Sequence, residues 1–213
     1  MKKVILAAVG STVMISGVAT ADTLYENGGP DGTNGYSNAT SGVFGARRTV
    51  LDDFILAEDS TVQDFHWNHL WNSFPPGSGV GLELSFRSDA GGSPGVPIAT
   101  AVVTGYSEVA TGNTYFSRAE AASWVTIEDL DLSAGHYWWE ATIVGPENNF
   151  WLTTAVQDNE CWVNYDDLGG LQSGSSQFGA AADMNFRLTG VPAPGALALI
   201  GLAGLAGSRR RRA

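Results

Sequence analysis

Hydrophobic and polar residues alternate along several short segments of the chain. In 81–87 every second residue is apolar, and the residues between them are polar or charged. The same alternation places Phe65 and Trp67 on one face of 61–69. A period of two is typical of a β-strand with one buried face. Further segments predicted as strands are 24–26, 49–56, 98–104, 123–130, 136–144, 149–155, 161–165 and 183–189.

Glycine, proline, asparagine and aspartate separate these segments and indicate turns. The stretches 27–35, 75–79 and 88–97 are predicted as loops or turns, and 173–182 as a loop of small residues. About ten short strands at this spacing are typical of a β-sandwich. The predicted fold is therefore all-β, a jelly-roll-like β-sandwich over 22–190, flanked by an N-terminal signal helix and a short C-terminal apolar helix.

The first residues of the chain have the pattern of a secretory signal. Lys2 and Lys3 precede an uncharged apolar run, and the run ends at the small residues Ala19 and Ala21. A basic start, an apolar run and a small-x-small cleavage site together indicate a signal peptide. We therefore expect the secretion machinery to remove 1–21 and to leave Asp22 as the first residue.

The last residues, 191–213, combine two prolines, an apolar run and an arginine cluster. As a helix, the run 195–207 would measure roughly 20 Å, against about 30 Å for the apolar core of a bilayer. Arginines Arg209, Arg210, Arg211 and Arg212 would resist translocation. The pattern predicts a short membrane helix that is held transiently. An ordinary short anchor and a free basic tail are the alternatives.

This order of features resembles the PEP-CTERM sorting signal of bacterial exported proteins. The residues that carry the resemblance are Val191, Pro192, Ala193 and Pro194, followed by the apolar run and the arginines. Ala193 departs from the family, which most often has glutamate there. The resemblance implies recognition by an exosortase, a transpeptidase-like membrane enzyme. It also implies an association with extracellular polysaccharide and biofilm.

The middle of the chain is similar to a loose group of exported bacterial domains that carry the same tail and are mostly of unknown molecular function. The shared marks are short motifs in the same order. They are Asp52-Asp53-Phe54, Ser88-Asp89-Ala90-Gly91, an Ala-Gly-x-Tyr-Trp strand at 134–138, and Asn185-Phe186-Arg187-Leu188.

The charge of the middle segment is strongly negative. Between Asp22 and Gly190, five arginines stand against 22 acidic residues, which leaves a formal charge of −17. Such a surface repels polyanions, so nucleic acid and anionic membranes are excluded as partners. The single cysteine, Cys161, cannot form an intramolecular disulfide, and its position beside Trp162 favours a buried apolar role.

Seven tryptophans make carbohydrate binding a candidate function. Trp138 and Glu140 lie on the less apolar face of their predicted strand. We predict that Trp138 is an exposed stacking platform and that Glu140 binds sugar hydroxyls. The alternative is that tryptophans at alternating positions form the core of the sandwich.

Acidic loops make calcium a candidate ligand, because hard cations prefer carboxylate and carbonyl oxygens. The candidate ligands are Asp158, Glu160, Asp166 and Asp167. Their spacing matches no calcium-loop motif, and turn residues in contact with solvent are the alternative. His66 and His69 would face opposite sides of a strand, so the sequence does not favour a zinc site there.

Nothing in the sequence indicates catalysis. There is no Gly-x-Ser-x-Gly elbow and no phosphate-binding loop. The sequence therefore predicts an exported, non-catalytic protein of the cell envelope, surface or extracellular matrix. The alternatives are a lectin-like carbohydrate-binding module, a calcium-dependent adhesin and a hydrolase.

Overall fold

Two antiparallel β-sheets packed face to face form the protein, as a computed structural model shows. The all-β sandwich predicted from the alternation is confirmed. The structure describes residues 21–40, 45–71, 81–145, 149–156 and 160–193. The predicted helices at the two termini lie outside these ranges. No helix in the described part is long and apolar enough to cross a membrane.

Fourteen strands, one turn of 3₁₀-helix at Asp166–Leu168 and one short α-helix make up the described part. In chain order they are β1 (Asp22–Glu26), β2 (Pro30–Asn38), β3 (Arg48–Leu56), β4 (Ser60–Trp71), β5 (Leu82–Asp89), β6 (Pro94–Val103), β7 (Ser107–Tyr115), β8 (Arg118–Leu132), β9 (Gly135–Ile143), β10 (Asn149–Thr154), β11 (Trp162–Tyr165), β12 (Gly170–Ser173), α1 (Gly174–Phe178), β13 (Asp183–Met184) and β14 (Phe186–Pro192).

Strand β4 is the centre of the eight-stranded sheet, called sheet A here. One edge of β4 pairs with β8, and β7 lies beyond β8. The other edge pairs first with β14 and then with β10. Strand β1 lies beyond β14, strand β2 lies beyond β10, and β13 pairs with the end of β10.

Sheet B has six strands in the order β12-β11-β3-β9-β5-β6. Strands β3, β9 and β5 are paired on both edges, because each lies between two neighbours. Their inward side chains are Leu84, Phe86, Trp139 and Ala141 among others, and all of these are buried. The alternation predicted for 81–87 and for the strand at 136–144 is therefore confirmed on the inner face.

Aromatic side chains from both sheets fill the space between them. The Phe65 ring lies 5.1 Å from that of Trp139, and Trp139 stacks on Trp151 at 4.9 Å. Trp67 also stacks on Trp151, at 5.2 Å. Such contacts contribute about 0.5–1.5 kcal/mol each beyond the burial of area. The aromatic cluster therefore fixes how sheet A sits on sheet B.

Some elements differ from the prediction. The stretch 27–35, expected as a loop, contains most of β2, and 173–182, expected as a loop, contains α1. Strands β7 and β12 were not predicted. Most residues of β7 are exposed, so the strand carries no alternation that a sequence pattern could reveal.

Candidate functional site

A row of chemically different side chains crosses the outer face of sheet A. Register pairs Glu26 with Arg187, Arg187 with His66, His66 with Trp124, and Trp124 with Ser107. Directly paired residues on neighbouring strands point to the same face of a sheet. These five residues therefore form one line across β1, β14, β4, β8 and β7, which we call the transverse row.

Hydrogen bonds fix the imidazole of His66 in the transverse row. Arg187 Nη2 donates to His66 Nδ1 at 3.4 Å, and His66 Nε2 lies 3.3 Å from Thr189 Oγ1. Thr189 in turn donates to Asp64 at 3.0 Å. Burial lowers the pKa of His66, as does the Arg187 guanidinium, and Asp64 opposes both. His66 is therefore a neutral group that donates from Nε2.

A cavity of about 240 Å³ opens beside this row. Asn185 lines the cavity; its Oδ1 accepts from the backbone N–H of Asn68 at 3.0 Å, and its amide donates to Gly28 O. Asn185 is buried and is held in place by these two hydrogen bonds. The walls include Glu26, His66, Trp124 and Arg187. The cavity therefore combines one aromatic ring with several hydrogen-bonding groups.

The prediction that Trp138 is an exposed stacking platform is wrong, because Trp138 is fully buried. Its indole Nε1 donates to Asp89 Oδ1 at 3.0 Å, and the ring meets Trp162 edge to face. Glu140 is held by Arg87, with 2.6 Å between Nε and Oε2. Neighbouring side chains on the outer face of sheet B thus cover Trp138, and Arg87 binds the carboxylate of Glu140.

Glu160, Asp166 and Asp167, the expected calcium ligands that lie in the described ranges, do not form a single metal-binding group. The Glu160 carboxylate accepts from the backbone N–H of Ser175 in α1. Asp166 and Asp167 lie in the 3₁₀ turn, and both oxygens of Asp167 accept from Arg48. Those hydrogen bonds lower the pKa of Asp167. Asp158 lies outside the described residues. Among the described residues, no group of three or more His, Cys, Asp or Glu is placed to hold a metal ion.

His69 lies on the opposite face of β4 from His66, as the strand prediction requires. Trp67 Nε1 donates to His69 Nδ1 at 2.9 Å, and His69 Nε2 lies 3.2 Å from Glu108 Oε2. An indole N–H can only donate, so the imidazole proton is on Nε2. Both His69 and the Glu108 side chain are buried. This trio joins β4 to β7 and does not face solvent.

Cys161 is buried, as predicted. Burial raises the pKa of its thiol, and the carboxyls of Asp52 and Asp183 act in the same direction. Burial likewise raises the pKa of Asp52, and Asp183 adds to the effect. Asp52 still accepts hydrogen bonds from the backbone N–H groups of Asp53 and Met184. These groups lie inside the sandwich, so a reactive thiol is not supported.

The first residues of the predicted sorting motif belong to sheet A. Val191 pairs with Thr61, and Pro192 pairs with Ser60, so β14 continues into the motif. The backbone N–H of Ala193 donates to Asp59 O at 2.8 Å. Ala21 immediately precedes β1. The remaining sorting and cleavage residues, Ala19, Pro194, Arg209, Arg210, Arg211 and Arg212, lie outside the described residues.

The transverse row could not be predicted from the sequence. Its members are far apart in sequence and become neighbours only through strand register. A partial signal was present, since Trp124 is the one large residue between small or β-branched neighbours, Ser123 and Val125. Comparison with known proteins adds no assignment: no protein-family model matches the chain, and no curated protein matches it.

Proposed function

We propose that the protein is an exported, non-catalytic component of the cell envelope, surface or extracellular matrix, sorted through its C-terminal tail by an exosortase-like membrane enzyme. One observation carries the proposal. Strand β1 begins at Asp22, directly after the predicted cleavage site, and β14 ends at Pro192, inside the sorting motif. The folded sandwich thus occupies the interval between the two predicted processing points.

The proposed fold type is a jelly roll. Support comes from the path of the chain, which passes from sheet A to sheet B between β2 and β3 and returns between β3 and β4. It crosses again between β4 and β5, between β6 and β7, and between β8 and β9. Repeated crossing between two packed antiparallel sheets is what jelly rolls and other Greek-key sandwiches share.

The intact mass of the secreted protein tests the sorting proposal. We expect a product that begins at Asp22 and lacks Arg209–Arg212 when the host carries an exosortase. The matched control is the same chain in a host without that enzyme, and a second control replaces all four arginines by alanine. Both controls should keep the tail. A mature product that retains Arg209–Arg212 in the first host would refute the proposal.

The second candidate function is carbohydrate binding, with an extracellular polysaccharide as the partner. A specific observation favours it. All seven tryptophans lie in the described part of the chain, and Trp124 is the most exposed of them, at 38%. Its side chain borders the cavity beside the transverse row.

A further inference from the structure

We propose that the cavity beside the transverse row binds a neutral saccharide, with one sugar ring stacked on Trp124. This inference rests on the carbohydrate-binding candidate and assigns its site and ligand class. Trp124 is the most exposed tryptophan in the described part of the chain. Five of the seven tryptophans are buried and Trp162 is half-buried, so the indole of Trp124 is the available stacking surface. The apolar face of a pyranose ring packs well on an indole ring.

The guanidinium of Arg187 can donate hydrogen bonds to a ligand. Of the five arginines in the sandwich, Arg47, Arg48 and Arg87 form ion pairs with carboxylates, and Arg118 lies over the Phe150 ring. Arg187 instead meets the neutral His66, and its Nε is buried with no hydrogen-bond partner among the described residues. A buried donor without a partner destabilises the folded protein. A sugar hydroxyl in the cavity would accept from this guanidinium.

The residues that line the cavity also suit a small ligand. Sites for small ligands join an apolar or aromatic wall to a few fixed polar groups. Here Trp124 is the wall, and His66, Asn68 and Asn185 are polar groups held by hydrogen bonds within the sheet. Because these groups are already oriented, binding a sugar would order few additional side chains.

The size and charge of the site favour a neutral ligand. The cavity is smaller than the roughly 300–1,000 Å³ of sites for drug-sized ligands, so it suits a single ring. The row from Trp124 to Glu26 spans three strand spacings, roughly 14 Å, along which a linked ring can lie. Arg187 is balanced by Glu26 at the end of the row, and the sandwich as a whole carries −17. An anionic polysaccharide would be repelled.

The experiment is a binding measurement on the full chain with defined oligosaccharides. Calorimetry against neutral glucan and mannan tetrasaccharides should give saturable binding. Trp124→Ala should raise Kd at least tenfold, equivalent to about 1.4 kcal/mol. Ile55→Ala is the matched control, since it truncates a 58% exposed apolar residue on the outer face of sheet B. It should leave Kd unchanged.

A second variant distinguishes the loss of a binding contact from misfolding. Arg187→Gln keeps the indole and removes the guanidinium, and it should also weaken binding while circular dichroism stays unchanged. Neutral binding that survives both Trp124→Ala and Arg187→Gln would overturn this site but leave carbohydrate binding intact. Absence of binding to any oligosaccharide would overturn both. Binding to hexuronate oligosaccharides alone would overturn the neutral class.

Discussion

His69 is held in its neutral form between an indole donor and the Glu108 carboxylate. Burial lowers the pKa of His69, and the hydrogen bond and charge of Glu108 only partly oppose this. In the unfolded chain the pKa is about 6.5. Between the two pKa values the unfolded state therefore binds a proton that the folded state does not. The contribution of neutral His69 to the free energy of unfolding is therefore fully present above pH 6.5, and it is lost as the pH falls below 6.5.

We expect His69→Gln to flatten the dependence of unfolding free energy on pH below 6.5. One proton contributes at most about 1.4 kcal/mol per pH unit. Urea unfolding of wild type and variant between pH 7 and pH 5 measures the difference in slope. Because the two proteins differ only at residue 69, the comparison cancels the ionisable groups that do not contact it. Equal slopes would show that His69 takes up a proton in the folded state.

Gly190 is a position where the close approach of two strands requires glycine. A Cβ there would lie 2.0 Å from Thr61 O and 2.9 Å from a methyl group of Leu24. Strand β14 would have to move away from β4. We expect Gly190→Ala to lower the free energy of unfolding by about 2–3 kcal/mol. Gly105→Ala is the control, because a Cβ at Gly105 meets nothing within 4 Å. Equal melting temperatures for the two variants would contradict this reasoning.

At the scale of elements, Asn38 ties strand β2 of sheet A to strand β9 of sheet B. Its Nδ2 donates to Ala141 O at 2.9 Å, and its Oδ1 accepts from Ile143 N at 2.6 Å. Asn38 is fully buried. Removing the amide would therefore take a hydrogen-bond partner away from two buried backbone groups, and a buried group left unpaired costs about 1–3 kcal/mol.

We expect Asn38→Ala to destabilise the protein by about 2–4 kcal/mol in urea unfolding. Asn34→Ala is the matched control, since Asn34 is exposed and bonds only to the neighbouring Gly35 N–H through its side chain. That substitution should change stability by less than about 0.5 kcal/mol. Similar losses for both variants would show that the bridge between the sheets does not contribute.

Whether a strand could be predicted from the sequence depends on whether one of its faces is buried. Strands with one buried face, such as β4, β5 and β9, show alternation and were located to within a few residues. Strand β2 has the sequence of a turn region, and it is strand because β10 pairs with it and Thr153 donates to Asp31. Those partners are distant in sequence, so a local pattern does not reveal them.

The candidate site could be predicted from the sequence even less well than the strands. The sequence placed His66 and His69 on opposite faces correctly, because that follows from strand period alone. Trp138 was predicted as the platform because it lies on the less apolar face of its strand, but a strand pattern alone does not show whether that face is covered. Only the tertiary structure shows that Asp89 and Trp162 cover Trp138 while Trp124 stays open.

At the scale of the whole molecule, the charge of −17 between Asp22 and Gly190 should make stability depend on salt. Self-repulsion destabilises the compact state, and salt screens it. Raising the ionic strength from 0.01 M to 0.1 M shortens the Debye length from about 30 Å to about 10 Å. We expect the melting temperature to rise by a few degrees over that range in sodium chloride.

Calcium chloride at matched ionic strength separates screening from specific binding. A ligand bound only to the folded state raises the midpoint further. Because Glu160 and Asp167 already accept hydrogen bonds from α1 and Arg48, we expect the two salts to give equal midpoints. A larger rise in calcium that EDTA reverses would contradict this and restore the calcium-dependent adhesin.

The continuation of β14 to Pro192 has a mechanical consequence. Hydrogen bonds between antiparallel strands lie perpendicular to the strand direction. A force applied through the tail would enter the sandwich at Ala193 and act along β14, so it would load the bonds to both β1 and β4 in shear. Many bonds would have to break together, whereas a strand peeled from a sheet loses them one at a time. A chain pulled by this end would therefore resist flow and drag without unfolding.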